Sequence, residues 1–164
     1  MKESISVRAA TPEDIDAIFH LLEKFSGSGV LLPRSREDIA FYLGNFQIAE
    51  RGGEIVGCAA VRDFGNDLLE VRSLAVRPDV HGQGVGKAMI RAIIERLRRT
   101  RDNWRLFALT MRPDFFRSRG FREVPKALFP EKIWSDCAKC AKRHRCDEVA
   151  MLLDSSEVTD GQGN

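Results

Sequence analysis

From Ser4 to Ala10 the apolar residues Ile5, Val7 and Ala9 alternate with polar ones, the period of a half-buried strand. Thr11, Pro12, Glu13 and Asp14 then read as a helix start: a capping residue, a proline at the first helical position, and acids on the positive end of the dipole. Ile15, Ile18, Leu22 and Phe25 recur at helical spacing until Gly27, Ser28 and Gly29 break the stripe. Ser35 with Asp38 predicts a second cap, opening a short helix through Ile39 and Leu43 to Gly44. Two apolar runs, 46–51 and 54–61, flank Gly52 and Gly53 as a hairpin. Gly65, Asn66 and Asp67 turn the chain into a strand at 68–76. After it, Met89, Ile90, Ile93, Ile94 and Leu97 give the packed stripe of a longer helix. A strand at 105–110, a helix opened by Pro113 and closed by Gly120, and short strands at 121–124 and 149–153 complete the pattern. Residues 155–164 are small and polar and are expected to fray.

The segment 68–90 organises the rest. It is a buried strand, a glycine-rich turn and a helix, with Pro78 ending the ladder because it has no N–H to donate. Gly82, Gly84 and Gly86 permit a turn whose backbone N–H groups point inward, and the helix adds its own free N–H groups and positive dipole end. Such a concavity suits a phosphate or diphosphate. It is not a P-loop, because His81 stands where the first glycine belongs and Ala88 follows Lys87 where a hydroxyl is required. Nor does either glycine pair complete the dinucleotide fingerprint.

At 164 residues and 43% hydrophobic content the chain suits a single domain, expected to span 1–154 with 155–164 as a tail. A net charge of +2 argues against a dedicated nucleic-acid binder. Arg96, Arg98, Arg99 and Arg101 cluster at one helix end, where cations complement the dipole. No signal region or membrane-length apolar run is present, so the expectation is a cytoplasmic protein with no membrane partner.

The turn with its preceding Val76-Arg77-Pro78 resembles the Gln/Arg-x-x-Gly-x-Gly/Ala signature of the GNAT N-acetyltransferases, with His81 at the Gln/Arg position. Segments 7–11, 33–37, 55–60, 106–110 and 115–121 further resemble, in order, the acetyltransferase domain of the N-acetylglutamate synthases, in a short form without the kinase-like domain that long members carry for feedback by arginine. The resemblance implies an α/β (α+β) GNAT fold: a mixed central sheet of six to seven strands flanked by about four helices. It implies acetyl-CoA as co-substrate and a small amino acid, L-glutamate, as acceptor. A homodimer is left open. By the same resemblance the coenzyme is held by Leu74, Ala75, Val76, His81, Gly82, Gln83, Gly84, Val85, Gly86, Lys87 and Phe116, with a backbone N–H near Leu74 or Ala75 facing the carbonyl oxygen that becomes negative.

Acetyl transfer needs a free amine, so a base must take the ammonium proton. Glu70, the lone carboxylate in an apolar strand, is the candidate, and burial there raises a carboxyl's pKa into a useful range. Its alternative role is a structural pair with Arg72, two residues on and on the same face. Relatives often carry a proton-donating tyrosine where this chain has Phe116. By the same resemblance Thr110 stands where the glutamate-acetylating relatives have a hydroxyl residue, which either hydrogen-bonds the thiolate or merely satisfies backbone, and CoA thiolate can also leave without a dedicated acid. Glutamate's carboxylates call for planar guanidiniums, and Arg8, Arg34, Arg36 and Arg72 are the candidates. The segment 134–147 is basic and cysteine-rich: Cys137, Cys140, His144 and Cys146 form a structural zinc site, free thiols or a redox pair. Two other functions stay open: acetylation of another amine (a protein N-terminus, a polyamine or a drug), and a non-catalytic acyl-CoA-binding regulator.

Overall fold

The computed structural model describes residues 4–26, 34–129 and 148–158. The strands are β1 (Ile5–Ala9), β2 (Phe46–Arg51), β3 (Glu54–Gly65), β4 (Leu68–Val76), β5 (Arg105–Thr110), β6 (Arg122–Val124) and β7 (Val149–Asp154). The helices are α1 (Ile15–Ser26), α2 (Arg36–Phe41), α3 (Val85–Thr100) and α4 (Pro113–Arg117). The strands follow the order β1-β2-β3-β4-β5-β7-β6. β4 pairs β5 in parallel, while the β1–β2, β2–β3, β5–β7 and β6–β7 pairs are antiparallel. This is the mixed α/β sheet expected of the sequence. Among the described residues no helix is long and apolar enough to cross a membrane.

Contacts divide the described residues into two compact units, one built from 4–26, 34–62 and 71–100 and the other from 63–70, 101–129 and 148–158. In the first, Ile18 and Leu22 of α1, Ile39 of α2, Phe46 and Ile48 of β2 and Cys58 of β3 share one core. Burial pushes the Cys58 thiol up to about 12, so it behaves as a small apolar group. Met89, Ile90, Ile93, Ile94 and Leu97 are the buried stripe of α3, as their spacing predicts. α3 sits close to β3 because residue 57 is glycine: a Cβ there would lie 2.9 Å from Met89 Cε, 3.0 Å from Val85 Cγ1 and 3.1 Å from the Ala75 carbonyl oxygen.

The junction from β1 into α1 is held by Asp14, which is buried. Its carboxylate accepts from the Thr11 N–H at 2.7 Å and from the Arg8 guanidinium at 2.7 and 2.9 Å, and Arg8 also pairs with Glu50 on β2. Arg8 chiefly, with Thr11, holds the Asp14 carboxyl down at about 2. Ser35 caps α2 as expected, its Oγ accepting from the Asp38 N–H at 3.1 Å. The helix ends at Phe41, and a separate 3-10 turn, Leu43–Asn45, completes the connection to β2.

In the second unit Leu68, Phe107, Val124, Phe129, Ala150 and Leu152 form the core, with the Phe107 and Phe129 rings stacked at 4.1 Å between centroids. The expected fraying from residue 155 is corrected at its start. Ser155–Glu157 form a 3-10 turn capped by Asp154, and Ser155 exchanges two hydrogen bonds with the Trp104 backbone, at 2.9 and 3.1 Å. Trp104 is buried, so its peptide groups need these partners.

Gly57→Ala is expected to destabilise the protein by about 1–3 kcal/mol by forcing α3 off the sheet, seen as a lower melting temperature. Asp14→Asn should cost about 2 kcal/mol at neutral pH, the scale of hydrogen bonds to a charged group. Because the folded-state pKa is depressed, that contribution is complete above the ordinary 3.8 and disappears as pH falls through about 2. Urea unfolding across a pH series should therefore show variant and parent converging below about pH 4.

Candidate active site

The turn after β4 is braced at both ends. The Arg77 N–H donates to the Val56 carbonyl at 2.8 Å, and the His81 ring N–H donates from Nε2 to the Val76 carbonyl at 2.8 Å. Pro78–Val80 form one 3-10 turn whose Val80 is buried beneath it. Gly82 and Gly84 then take φ of +80° and +87°, a conformation that side chains resist, although nothing stands within 4 Å of a Cβ at either. The glycine requirement is therefore one of backbone conformation. Gly86 differs: it lies inside the first turn of α3.

The first helical bond of α3 runs from the Ala88 N–H to the Gly84 carbonyl at 3.0 Å. The N–H groups of Gly84, Val85, Gly86 and Lys87 therefore have no intrahelical acceptor. They sit at the positive end of a sixteen-residue helix. This is a concentrated set of donors for an anion, as the sequence predicts.

Residue 73 was not anticipated. Ser73 is buried within β4 yet adopts φ +55°, a left-handed conformation just before Leu74 and Ala75. Arg34 supports it: Nη1 donates to Ser73 Oγ at 2.9 Å, Nε pairs with Asp38 at 2.7 Å, and the guanidinium lies 5.1 Å from the Phe46 ring centroid and 5.7 Å from that of Tyr42. No pattern in the sequence marks a left-handed serine inside a strand.

Glu70 is buried, at 3% exposure, in the second unit's part of β4. Parallel pairing sets it beside Phe107, which itself pairs Leu152, so the carboxylate leaves the sheet on the face of that unit's aromatic core. Thr110, three residues beyond Phe107, belongs by alternation to the opposite face. Its Oγ1 accepts from the Arg112 N–H at 2.9 Å, which leaves its own hydrogen to donate. Phe116 is buried against Phe121 with centroids 5.2 Å apart, a packing residue of α4.

The arginines separate by role. Arg8 is the internal clamp on Asp14 and Glu50 described above. Arg36 pairs with Asp16 at 2.7 Å and lies 4.1 Å over the Phe19 ring. Arg72 is half-buried in β4. Cys137, Cys140, His144 and Cys146 lie outside the described residues.

A family model described as an acetyltransferase (GNAT) domain matches residues 38–123. An uncharacterised N-acetyltransferase of Chlorobaculum tepidum is 37% identical over 146 residues, 89% of this chain and 94% of the relative. An amino-acid acetyltransferase of Pasteurella multocida is 32% identical over 134 residues, 80% of this chain and 30% of that protein. Among solved structures, N-acetylglutamate synthase from Neisseria gonorrhoeae, complexed with coenzyme A and N-acetyl-glutamate, superposes with a TM-score of 0.81 at 29% identity, covering 94% of this chain and 36% of the other. The chain thus spans about a third of the length of both named enzymes.

Ser73→Val should lower stability by about 2–3 kcal/mol, because a β-branched residue resists positive φ and the Arg34 hydrogen bond is lost. Ser73→Gly, which frees the backbone while also losing that bond, should cost less, and thermal melts of the two variants measure the difference.

Proposed function

The chain belongs to the GNAT family of acetyltransferases, and from that premise we propose that it transfers acetyl from acetyl-CoA to the α-amine of L-glutamate. One observation carries the chemistry: a single strand, β4, holds a buried carboxylate at Glu70 and leads into a turn suited to a diphosphate. The likeness to the Neisseria enzyme supports glutamate as the acceptor.

The amides of Gly82–Lys87 hold the coenzyme diphosphate through hydrogen bonds strengthened by the helix dipole. Glu70 takes a proton from the ammonium group, directly or through one water. The freed lone pair attacks the thioester carbonyl carbon, and the Leu74 or Ala75 N–H, just after the left-handed Ser73, stabilises the oxyanion. The C–S bond then breaks and the electron pair leaves on sulfur. The second proton on the attacking nitrogen passes through solvent to that thiolate, Glu70 returns its proton to water, and the products are the N-acetylated amino acid and CoA thiol. Thr110 lies on the face opposite Glu70, and CoA thiolate is a good enough leaving group to depart without its hydroxyl. Phe116 has no proton to give, so it serves by packing. Arg34 and Arg72 bind the acceptor's carboxylates, Arg34 being held ready by Ser73 and Asp38.

A second reading follows from the remaining guanidiniums. Arg8 and Arg36 already face carboxylates of the chain itself, which favours an acceptor with fewer carboxylates than glutamate.

Thiol release from acetyl-CoA, followed against a panel of amino acids and other amines, separates the two. Glutamate-dependent release is expected, with Glu70→Gln lowering kcat by about 10²–10⁴-fold and leaving CoA affinity within about twofold. Release with other amines only would select the second reading. CoA binding without turnover on any amine would defeat both.

A further inference from the structure

We propose that Arg51 is a phosphate-binding residue for the nucleotide end of the coenzyme. It rests on the acetyl-CoA reading above and adds a residue that reading does not use. Arg51 ends β2, opposite Glu54 across the Gly52-Gly53 turn. Its Nη1 donates to Oε1 of Gln83, which stands between the two left-handed glycines of the phosphate turn. Among the described residues this neutral amide is its hydrogen-bonding side-chain partner.

The distribution of charge around it explains why. The two acids nearby are both taken by Arg77: its Nη1 meets Glu54 at 3.2 Å, and Nε and Nη2 meet Asp79 at 2.7 and 2.9 Å. The Asp79 carboxyl is held below its usual range mainly by the Arg77 hydrogen bond, with the Arg51 charge adding a smaller push in the same direction. Arg51 is thus close enough to this turn to be felt electrostatically, yet among the described residues it has no carboxylate of its own. A half-buried guanidinium with one of its five donors on an amide keeps its charge and most of its fork available. Beside it stand four backbone N–H groups that also lack an acceptor within their helix. Phosphoryl oxygens satisfy both sets: they accept bidentately from a guanidinium and singly from amides. Gln83 then has a defined purpose, which is to hold the arginine against the turn before the anion arrives.

Titration calorimetry of CoA and of 3′-dephospho-CoA into the full chain, Arg51→Gln and Arg51→Lys tests this. Arg51→Gln should weaken CoA about tenfold, with an unchanged melting temperature and a shallower loss of affinity in salt. Arg51→Lys should recover part of the loss. A deficit that persists with 3′-dephospho-CoA assigns the diphosphate, and one that vanishes assigns the 3′-phosphate; either supports the proposal. Unchanged CoA affinity in Arg51→Gln overturns it, as does an equal loss in both variants accompanied by a lower melting temperature. If the unsubstituted chain binds no CoA, the acetyl-CoA reading falls and takes this inference with it.

Discussion

Where β4 gives way to α3, four consecutive backbone N–H groups point out of the helix start with no carbonyl of their own helix to receive them. Buried or half-buried donors of this kind are costly unless water or a ligand meets them, and much of the first unit is arranged around keeping them in place. Gly57 lets α3 approach the sheet closely, the buried Val80 and Val85 anchor the turn from below, and His81 ties it back to the strand it leaves. The result is a set of donors tied to the sheet by packing and hydrogen bonds, an arrangement that lowers the ordering cost of binding an anion.

Electrostatics then distinguish structural from available charge. Arg8, Arg36 and Arg77 each face carboxylates belonging to the chain, and Arg8 does so where its partner Asp14 is buried and would otherwise be an uncompensated anion. Arg51 is different: its donor rests on a neutral oxygen, Gln83 Oε1, whereas Arg34 divides its fork between Ser73 Oγ and the Asp38 carboxylate. A guanidinium held by a neutral group is positioned without being neutralised, a sound physical reason to look for function at Arg51 and for architecture at Arg8, Arg36 and Arg77.

Glu70 shows the same distinction on the acidic side. Its carboxyl group is buried on the face of an aromatic core, an environment that keeps a polar group only where partners satisfy it. The proposed reaction gives that carboxylate a use, as the base that takes a proton from the amine. Cys58 is buried too, and with its thiol pushed up to about 12 by desolvation it is simply part of the core.

Most of the fold was legible in the chain because it depends on local signals. Alternation at 5–9, the Ser35 cap, the Asn66-Asp67 turn and the α3 stripe each act over a few residues, and the elements form where those signals fall. The glycine turn was legible for the same reason, since a left-handed φ at Gly82 and Gly84 and a helix start after them are properties of neighbouring residues. What tertiary structure alone decided is which distant groups meet: Arg8 with Glu50, Arg34 with a left-handed Ser73, Arg51 with Gln83, and Thr110 on the face opposite Glu70. Sequence identifies an arginine but says nothing of its partner, because a long side chain can reach many groups and only the packed sheet determines which one is close enough to desolvate it.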